Sequence, residues 1–390
     1  MKILIVHNRY QQAGGEDSVV DAETELLAHH GHVVEKWNVD NSALSGGLSG
    51  KIKVALSTCY SKASLTAADA LLRSLNPDLV HVHNFFPQIS PSIYDACRNN
   101  GIPVVQTLHN YRLICPGAFL MRAGKICEQC IDGTPYQAAL YGCYRNSRLG
   151  SLVVAHMVSR HRTLETWSTK VDRFIALTDF AKGKFVQAGF PADKISVKPN
   201  FVIAPPLDTD SVGGARCHEQ ALYVGRLSPE KGIGTLASAW GAITGDRVLT
   251  VVGSGELSDG FAGLNNVHLL GFQNGRAINE LMQRAGFLIL PSVWYEGFPM
   301  VLLEAFANGL PVLASRVGSL AEIIREGETG LLFEPGNSGE LAEKMRWLFE
   351  NPAEQIRMGL NAKRAYSEKY TAEINYAQLA AIYNEVISKN

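Results

Sequence analysis

Residues 292–309 read SVWYEGFPMVLLEAFANG, and this stretch decides how the rest of the chain is interpreted. The preceding residues 286–291, GFLILP, form a short apolar run stopped by proline, which predicts a buried strand. Pro299 suits the first position of a helix, where a missing N–H leaves no hydrogen bond unmade. From Met300 the apolar side chains fit a buried helix, and Gly309 is placed to close it. The stretch therefore predicts a strand that leads directly into the N-terminus of a helix.

This predicted junction carries the groups of a ligand site. Gly297, Phe298 and Met300 can offer free backbone N–H groups at the helix N-terminus, which is a ready site for an anion. Glu296 precedes the helix, and Glu304 lies more than a turn inside it, where its carboxylate could accept two hydrogen bonds from vicinal ribose hydroxyls. A phosphate site flanked by two such acids fits a nucleotide-sugar. The alternative is a buried helix that contains two incidental acids.

A second candidate phosphate site lies in YVGRLSPEKG, residues 223–232. A predicted strand ends at Gly225, and Arg226 and Lys231 then flank a Ser-Pro-Glu turn that opens a helix. Two cations at a helix N-terminus repel its dipole unless an anion lies between them. We therefore expect this segment to bind phosphate rather than to have a purely structural role.

Glycines follow two other predicted strands, at positions where the backbone could approach a ligand closely. Gly14 and Gly15 lie between the first strand and its helix and could free N–H groups for an anion, although such a pair is more often only a turn. Gly253 and Gly255 form a strand-end G-x-G, which we expect near phosphate or nucleoside. The segment Leu-Gly-Phe that ends at Phe272 is expected to place backbone against the base.

Histidines mark two neighbouring predicted strands. His81 and His83 alternate along one strand and therefore share a face. A metal pair is conceivable there, but a packed strand with polar ends is favoured because no third ligand is close in the sequence. His109 lies at the C-terminal end of the next strand, where ligand clefts open in parallel sheets. We expect His109 to donate a hydrogen bond to a sugar; the alternative is a histidine satisfied within its own loop.

Four of the seven cysteines crowd into one short stretch in the pattern C-x11-C-x2-C-x12-C, formed by Cys115, Cys127, Cys130 and Cys143. Few apolar residues are available between them to build a core, so the segment needs a staple. In a cytoplasmic protein that staple is more plausibly tetrahedral zinc than disulfides. Because only one C-x2-C is present, unrelated free thiols and an iron–sulfur cluster stay open as alternatives.

The bulk composition is that of a soluble globular enzyme, with 46% hydrophobic and 19% charged residues in a chain of 390. The net charge of −1 is unevenly divided, because residues 1–200 carry +5 and the remainder −6. The excess is too small and too scattered to indicate nucleic-acid binding. Basic residues surround the cysteine segment and form either a solvated face or a surface for acceptor phosphates or an anionic membrane. They are Arg112, Arg122, Lys125, Arg145, Arg148, Arg160 and Arg162.

The chain shows no sign of a membrane span or a leader. No apolar run approaches the roughly 18 residues that a membrane-spanning helix requires. The apolar run at residues 3–6 is too short for a signal-peptide core and predicts a first buried strand instead. We expect a cytoplasmic protein, with peripheral contact at the inner face of the membrane as an alternative.

The order of apolar runs and helical patterns predicts two domains. Strands alternating with helices favour a parallel α/β sheet, and the alternation restarts near residue 221 after a Pro- and Gly-containing linker at 204–217. We expect an N-terminal domain over 1–203 with a cysteine-rich insert at about 112–148, a second domain over 204–370, and a terminal helix over 371–390. In the first half, the predicted strands are 2–6, 33–38, 79–83, 103–108 and 173–177, and the predicted helices are 17–30, 66–75, 88–99, 150–168 and 179–188.

These motifs together resemble the retaining glycosyltransferases of family 4. The spacing of Glu296 and Glu304 matches their E-x7-E signature, and Arg226 and Lys231 match their G-R-x4-K-G motif. The resemblance implies the GT-B fold, in which two Rossmann-like domains face each other across a cleft and the C-terminal helix crosses back to the N-terminal domain. It implies donor contacts at Gly14, Gly15, Gly225, Gly253, Gly255, Phe272, Gly297, Phe298, Pro299, Met300 and Glu304.

The same resemblance implies a chemistry. A hexose-type sugar would move from a nucleotide diphosphate, such as a UDP- or GDP-sugar, to a saccharide or lipid-linked saccharide acceptor in the synthesis of surface polysaccharides or glycoconjugates. Arg226 and Lys231 would neutralise the leaving diphosphate without a divalent metal, while His109 and Glu296 would contact the sugar. A nucleotide-sugar epimerase, a phosphorylase and a non-catalytic nucleotide-sugar-binding protein stay open as alternatives on the same fold.

Overall fold

The computed structural model describes residues 1–9, 14–40, 55, 57–203 and 216–389. It divides into two compact units. Unit 1 comprises residues 1–122, 127–200 and 375–390, and unit 2 comprises residues 123–126 and 201–374. The linker expected at 204–217 lies almost entirely outside the described residues.

Unit 1 is built on a sheet of six parallel strands in the order β2-β1-β3-β4-β7-β8. These strands are β1 (Lys2–Arg9), β2 (Val33–Asp40), β3 (Leu79–Asn84), β4 (Val104–Leu108), β7 (Arg173–Ala176) and β8 (Ile195–Val197). The strands β5 (Met121–Arg122) and β6 (Lys125–Ile126) form a separate two-stranded sheet. Its helices are α1 (Gly15–His29), α2 (Lys62–Leu75), α3 (Ser92–Asn99), α4 (Gln129–Asp132), α5 (Gln137–Tyr141), α6 (Arg148–Thr163), α7 (Thr166–Lys170), α8 (Asp179–Gln187) and α15 (Ala372–Ser388).

The core of unit 1 explains why its strands are continuously apolar. Every residue of β3 and β4 is buried, as expected for parallel strands that are covered on both faces. On one face, Ile3 and Ile5 of β1 share a core cluster with Leu379 and Tyr383 of α15. The C-terminal helix therefore completes the core of the unit that the N-terminal strand begins.

Unit 2 contains a second sheet of six parallel strands, in the order β11-β10-β9-β12-β13-β14. These strands are β9 (Cys217–Val224), β10 (Val248–Val252), β11 (Val267–Leu269), β12 (Ala285–Leu290), β13 (Val312–Ser315) and β14 (Gly330–Phe333). The helices are α9 (Ile233–Trp240), α10 (Gly275–Arg284), α11 (Met300–Ala307), α12 (Gly318–Ile323), α13 (Ser338–Glu350) and α14 (Pro352–Lys369). The prediction of two parallel α/β domains is confirmed.

Helix boundaries differ from the sequence prediction for local reasons. α2 begins four residues early because Ser61 caps it, accepting a hydrogen bond from the Ser64 amide at 3.1 Å. The helix expected over 150–168 is two helices, because Glu165 adopts a left-handed conformation (φ 51°) that breaks the chain direction before the buried Trp167. In the described part of the chain, no helix combines the length and the apolar character that crossing a membrane demands.

Candidate functional site

The groups singled out in unit 2 follow three adjacent strands of its sheet. β9, β10 and β12 are neighbours and run parallel, so their carboxyl ends meet at one edge. Gly225 follows β9 directly, Gly253 follows β10, and Ser292 comes two residues after β12. In open parallel sheets this edge is where ligands bind.

The glycines at this edge let two loops pack against each other. A Cβ atom on Gly253 would stand 1.9 Å from the Gly225 carbonyl oxygen, and one on Gly255 would stand 2.2 Å from the Leu227 carbonyl oxygen. The Leu227 amide donates to the Ser254 carbonyl at 3.0 Å. The close packing of the two loops already explains why both positions are glycine. A role of these glycines in binding a donor therefore stays a prediction.

Arg226 and Lys231 are each paired with a carboxylate. Lys231 Nζ lies 2.6 Å from Glu296 Oε1, and Arg226 Nη2 lies 3.1 Å from Glu230 Oε1. Each cation thus has an anion beside it within the protein, and phosphate binding by this segment stays a prediction. The Arg226 side chain is 61% exposed, and an ion pair at such a position is weak enough to be exchanged for a ligand.

Glu296 is a buried carboxylate in a fixed position. Its Oε1 accepts hydrogen bonds from Lys231 Nζ and from Ser292 Oγ, both at 2.6 Å. Its backbone carbonyl accepts a further bond from Ser319 Oγ at 2.8 Å. The Glu296 side chain thus joins the loop after β9 to the loop after β12, and its backbone carbonyl joins this residue to the start of α12.

Glu304 has the opposite environment. It is half-buried on α11, and burial raises the pKa of its carboxyl group above the ordinary value. In the described part of the chain its side chain makes neither a hydrogen bond nor an ion pair. A partly buried acid that no protein group compensates is suited to accept hydrogen bonds from a ligand.

The N-terminus of α11 differs from the prediction at Pro299, which is the N-cap with an extended backbone (ψ 111°) and not the first helical residue. Pro299 precedes the helix without any side-chain cap, the helix begins at Met300, and Gly309 adopts the left-handed conformation (φ 63°) that closes it. Among the described residues, no acceptor binds the backbone amides of Gly297, Phe298 and Met300. These amides are the anion-binding groups that a helix N-terminus supplies. Phe272 lies three residues after the end of β11 and is 84% exposed.

In unit 1 the predicted histidine pair gains partners that the sequence did not indicate. The rings of His81 and His83 have centroids 4.1 Å apart, and Glu23 Oε1 of α1 lies 3.3 Å from Nδ1 of His81 and 3.3 Å from Nε2 of His83. These three ligand atoms lie within 4.8 Å of one another, as in a metal site. However, Lys198 Nζ already lies 3.0 Å from Glu23 Oε2, so an ammonium group supplies the positive charge. The residue missed was Glu23, and no sequence spacing could have identified it.

His109 follows β4 directly and contacts the same cluster. Its Nε2 lies 2.9 Å from Nδ1 of His83, and the two rings are stacked. Burial, followed by the charge of His83, holds the pKa of His109 well below its ordinary value. Together with Asn110 and Arg112, both histidines line a small pocket at the carboxyl end of β4.

Gly14 is the N-cap of α1 and Gly15 is its first residue, and they differ from the prediction in one respect. The amide of Gly14 donates to Asp17 Oδ2 at 3.0 Å, while Asp17 Oδ1 lies 2.8 Å from Nε2 of the buried His7. The prediction of a free amide at Gly14 is therefore wrong, because an acid in the first turn of the helix takes it. Residues 10–13, which precede the pair, lie outside the described part of the chain.

The four clustered cysteines converge in unit 1. All are free thiols, and the charges of Cys115, Cys143 and Cys127 add to burial in raising the pKa of Cys130 to about 12. Zinc would hold tetrahedral sulfur ligands about 3.8 Å apart, given a Zn–S distance near 2.3 Å. Among the described residues, no three of the sulfur atoms come within 4.8 Å of one another. The four thiols are thus near one another but too far apart to coordinate one metal ion, and zinc binding stays a prediction.

Several basic residues near these cysteines have structural partners. The Arg112 guanidinium lies 4.4 Å from the Phe86 ring centre and donates to the Pro116 carbonyl at 2.8 Å. Arg162 donates to the carbonyls of Cys130 and Gly133, both at 3.2 Å. These arginines stabilise the insert, whereas others such as Arg145 and Arg148 are exposed.

Comparisons with known proteins agree with this architecture. Residues 217–365 match the family described as "Glycosyl transferases group 1", and residues 55–204 match "Glycosyltransferase Family 4". The chain is 26% identical over 294 residues to the uncharacterized glycosyltransferase MJ1178 of Methanocaldococcus jannaschii, an alignment covering 74% of this chain and 77% of that protein. It is 33% identical over 159 residues to the D-rhamnosyltransferase WbpZ of Pseudomonas aeruginosa, covering 39% of this chain and 41% of that protein.

A solved structure shares the fold over almost the entire chain. Anabaena HepE in complex with UDP-glucose superposes with a TM-score of 0.66, covering 99% of this chain and 100% of that one. The sequences are 20% identical, so the likeness concerns the fold alone.

Proposed function

This chain is a family 4 glycosyltransferase with the GT-B fold, and we propose that it transfers a hexose-type sugar from a nucleotide diphosphate to a saccharide or lipid-linked saccharide acceptor, with retention of anomeric configuration. The observation that carries this proposal is the carboxylate of Glu304. It is half-buried with a raised pKa and has no partner in the described protein. It lies in the helix whose uncapped N-terminus offers amides to an anion.

The donor-side roles follow from the pairs that exist before a ligand binds. The diphosphate would take Lys231 from Glu296 and Arg226 from Glu230, because it carries more negative charge than a single carboxylate and so attracts the cations more strongly. Glu296 Oε1, released from Lys231 but still held by Ser292, would then accept hydrogen bonds from sugar hydroxyls. Glu304 would accept the hydroxyls of the ribose. In this scheme donor binding replaces ion pairs within the protein by ion pairs with the ligand.

The reaction would depend on electrostatic stabilisation of the leaving group. Negative charge grows on the diphosphate as the bond to the sugar breaks, and Arg226, Lys231 and the amides at the start of α11 would stabilise that charge. A diphosphate oxygen would accept the proton of the attacking hydroxyl on the same face of the sugar, so that configuration is kept. This chemistry needs no divalent cation, since fixed cations and helix dipoles replace it.

Properties of similar proteins support the choice of donor. HepE, which shares this fold, has been solved with UDP-glucose, and WbpZ is named a D-rhamnosyltransferase. We extend from these proteins only the class of donor, a nucleotide-linked hexose or deoxyhexose. The exposed ring of Phe272 is available to stack on the nucleotide base.

A thermal-shift screen against nucleotide-sugars, followed by a donor-hydrolysis assay with the best binder, tests this function. We expect at least one UDP- or GDP-sugar to raise the melting temperature of the wild-type protein, and the Glu304→Gln variant to show a smaller shift. Glu280→Gln, which alters an exposed acid on α10, is the matched control and should behave as wild type. A protein that binds no nucleotide diphosphate in this screen would refute the proposal.

A further inference from the structure

A chain of buried polar contacts in unit 1 connects the C-terminal helix to His109. Asn375 Oδ1 of α15 accepts a hydrogen bond from Lys198 Nζ at 3.1 Å, and the same ammonium lies 3.0 Å from Glu23 Oε2. The other carboxylate oxygen, Oε1, lies 3.3 Å from Nε2 of His83, whose Nδ1 lies 2.9 Å from Nε2 of His109. Glu23 and Lys198 are each 1% exposed and His83 is 4% exposed, so water does not screen these contacts.

The contact between Glu23 and His83 determines where His83 carries its proton. Burial lowers the pKa of His83 to about 3, so the ring is neutral and has one N–H. Glu23 is ionised, since the ammonium of Lys198 offsets its burial and keeps its pKa well below the ordinary value. Neither His83 Nε2 nor Glu23 Oε1 has a partner with hydrogen-bond geometry in the described chain, so their 3.3 Å contact is electrostatic, and Glu23 Oε1 lies equally close to Nδ1 of His81. If His83 Nε2 carries the proton, an N–H faces the carboxylate of Glu23, which is favourable. If it does not, the lone pair of Nε2 faces a lone pair of the carboxylate, and the two repel each other.

The proton on Nε2 of His83 in turn fixes the state of His109. With its proton on Nε2, His83 can only accept at Nδ1. The 2.9 Å contact between the rings therefore requires the proton of His109 to be on its Nε2. His109 is also neutral, so its Nδ1 keeps a lone pair. In the described part of the chain, no group bonds to this Nδ1, and the ring is only partly buried.

The neighbouring His81 does not decide this arrangement. Its Nδ1 lies 2.7 Å from the hydroxyl of Tyr383 and 3.3 Å from Glu23 Oε1, and its Nε2 lies 2.8 Å from the hydroxyl of Thr107. A hydroxyl can donate or accept, so both hydroxyl contacts are satisfied by either tautomer of His81. The carboxylate of Glu23 lacks this freedom because it can only accept.

We infer that Glu23 is a positioning residue that, through His83, holds the proton of His109 on Nε2 and leaves Nδ1 as a hydrogen-bond acceptor for a hydroxyl of the substrate sugar. This inference rests on the proposed function for the identity of the ligand. It reverses the polarity expected from the sequence, in which His109 donates. A hydroxyl that donates to Nδ1 gains electron density on its oxygen. That density stabilises the positive charge that develops on the sugar as its leaving group departs.

Nitrogen NMR of the histidine rings tests the tautomer without any assay of activity. The wild-type protein is labelled with ¹⁵N-histidine, and the His109 signals are assigned by their loss in His109→Asn. Nitrogen shifts and ring couplings distinguish a protonated nitrogen from a bare one. We expect the proton of His109 on Nε2 at neutral pH. A proton on Nδ1 would overturn the inference, whether or not the protein proves to be a glycosyltransferase.

Glu23→Gln gives a sharper form of the same measurement. The ammonium of Lys198 attracts the oxygen of the new amide and repels its NH2, so the NH2 would face Nε2 of His83. That would move the proton of His83 to Nδ1 and the proton of His109 to its own Nδ1. Glu25→Gln, an exposed acid on the same helix, is the control and should leave both tautomers unchanged. A His109 ring that keeps its wild-type state in folded Glu23→Gln would show that Glu23 does not set it.

A double-mutant cycle then asks whether Glu23 acts through His109 in turnover. We expect kcat to fall on the order of tenfold in Glu23→Gln and in His109→Ala, with no further loss in the double variant. Losses that multiply would show that Glu23 has only a structural role. If Glu23→Gln does not fold, His83→Phe removes the same link while keeping the pair of Glu23 and Lys198, and the same non-additivity is expected.

Discussion

At the scale of single residues, Glu296 and Glu304 show how one short segment produces two different acids. Glu296 is held by Lys231 and Ser292, and its charge is compensated before any ligand binds. Glu304, on the following helix, has no such partner among the described residues, and burial raises its pKa. The sequence predicts both positions, but the difference between them depends on Lys231, which is 65 residues away from Glu296. We interpret Glu304 as the carboxylate that receives its hydrogen bonds from a bound ligand.

The raised pKa of Glu304 predicts a stability effect. Its carboxyl is protonated more readily in the folded than in the unfolded protein, so its contribution to stability is present below the ordinary glutamate pKa of 4.5. That contribution is lost as pH rises through the higher folded value. We therefore expect Glu304→Gln to have a higher free energy of unfolding than wild type at pH 7, with the difference shrinking toward pH 4. Urea denaturation at the two pH values measures it, and a variant less stable than wild type at pH 7 would contradict it.

At the scale of elements, the loops after β9 and β10 depend on glycine for their mutual contact. Gly253 has a φ of 132°, and its Cα lies so close to the Gly225 carbonyl that no side chain fits. The amide of Gly253 also donates to the Gly271 carbonyl at 2.8 Å, which joins a third loop to the pair. The predicted ligand edge of the sheet is thus a packed arrangement of loops, whose rigidity does not require a bound ligand.

Gly253→Ala should therefore destabilise unit 2. The added methyl group meets a carbonyl oxygen at 1.9 Å in an unfavourable backbone region, and we expect a loss of about 2–3 kcal/mol or more in the free energy of unfolding. Gly260→Ala is the matched control, because no atom lies within 4 Å of its added Cβ and its φ is not positive. Chemical denaturation of both variants measures the contrast. Equal stabilities would show that the loops do not pack as described.

The cysteine segment gives a second prediction at this scale. We expect about one zinc ion per chain, bound by Cys115, Cys127, Cys130 and Cys143 after the sulfur atoms draw closer together. Cys130→Ser should release the metal and lower the melting temperature, whereas Cys217→Ser, at an exposed thiol outside the cluster, should do neither. Elemental analysis of protein prepared without chelator makes the measurement. Protein that contains neither zinc nor iron would contradict the prediction of a metal site at these cysteines.

At the scale of the whole molecule, local patterns predicted the architecture and long-range pairing determined the buried network. Alternating strands and helices, the junction at Pro299 and the closing Gly309 are each encoded within a few residues, and the structure has them. The partners Glu23 and Lys198 are 175 residues apart, and Asn375 is 177 residues beyond Lys198. Such pairs follow from strand order in the sheet and from where the last helix packs. No spacing in the sequence records these two features.

The uneven distribution of charge predicts contact with anionic lipid. α5 and α6 of unit 1 expose Leu140 and Leu149, which are 67% and 77% exposed, beside the exposed Arg145 and Arg148. We expect weak binding to vesicles containing anionic phospholipid, falling steeply as ionic strength rises. Arg148→Glu should reduce it, and Leu360→Ser, at an exposed leucine of unit 2, should not. Equal binding to neutral and anionic vesicles would reject this surface.

The kinetics of donor-site variants test the central claim most directly. Arg226→Ala and Lys231→Ala remove stabilisation that grows in the transition state, so kcat should fall by about two orders of magnitude or more. Glu304→Gln weakens bonds to the ribose that exist before and during reaction, so KM should rise more than kcat falls. Arg276→Ala, at an exposed arginine of unit 2, is the control and should behave as wild type. Wild-type kcat in the two cation variants, or lost turnover with intact nucleotide affinity in Glu304→Gln, would contradict the account.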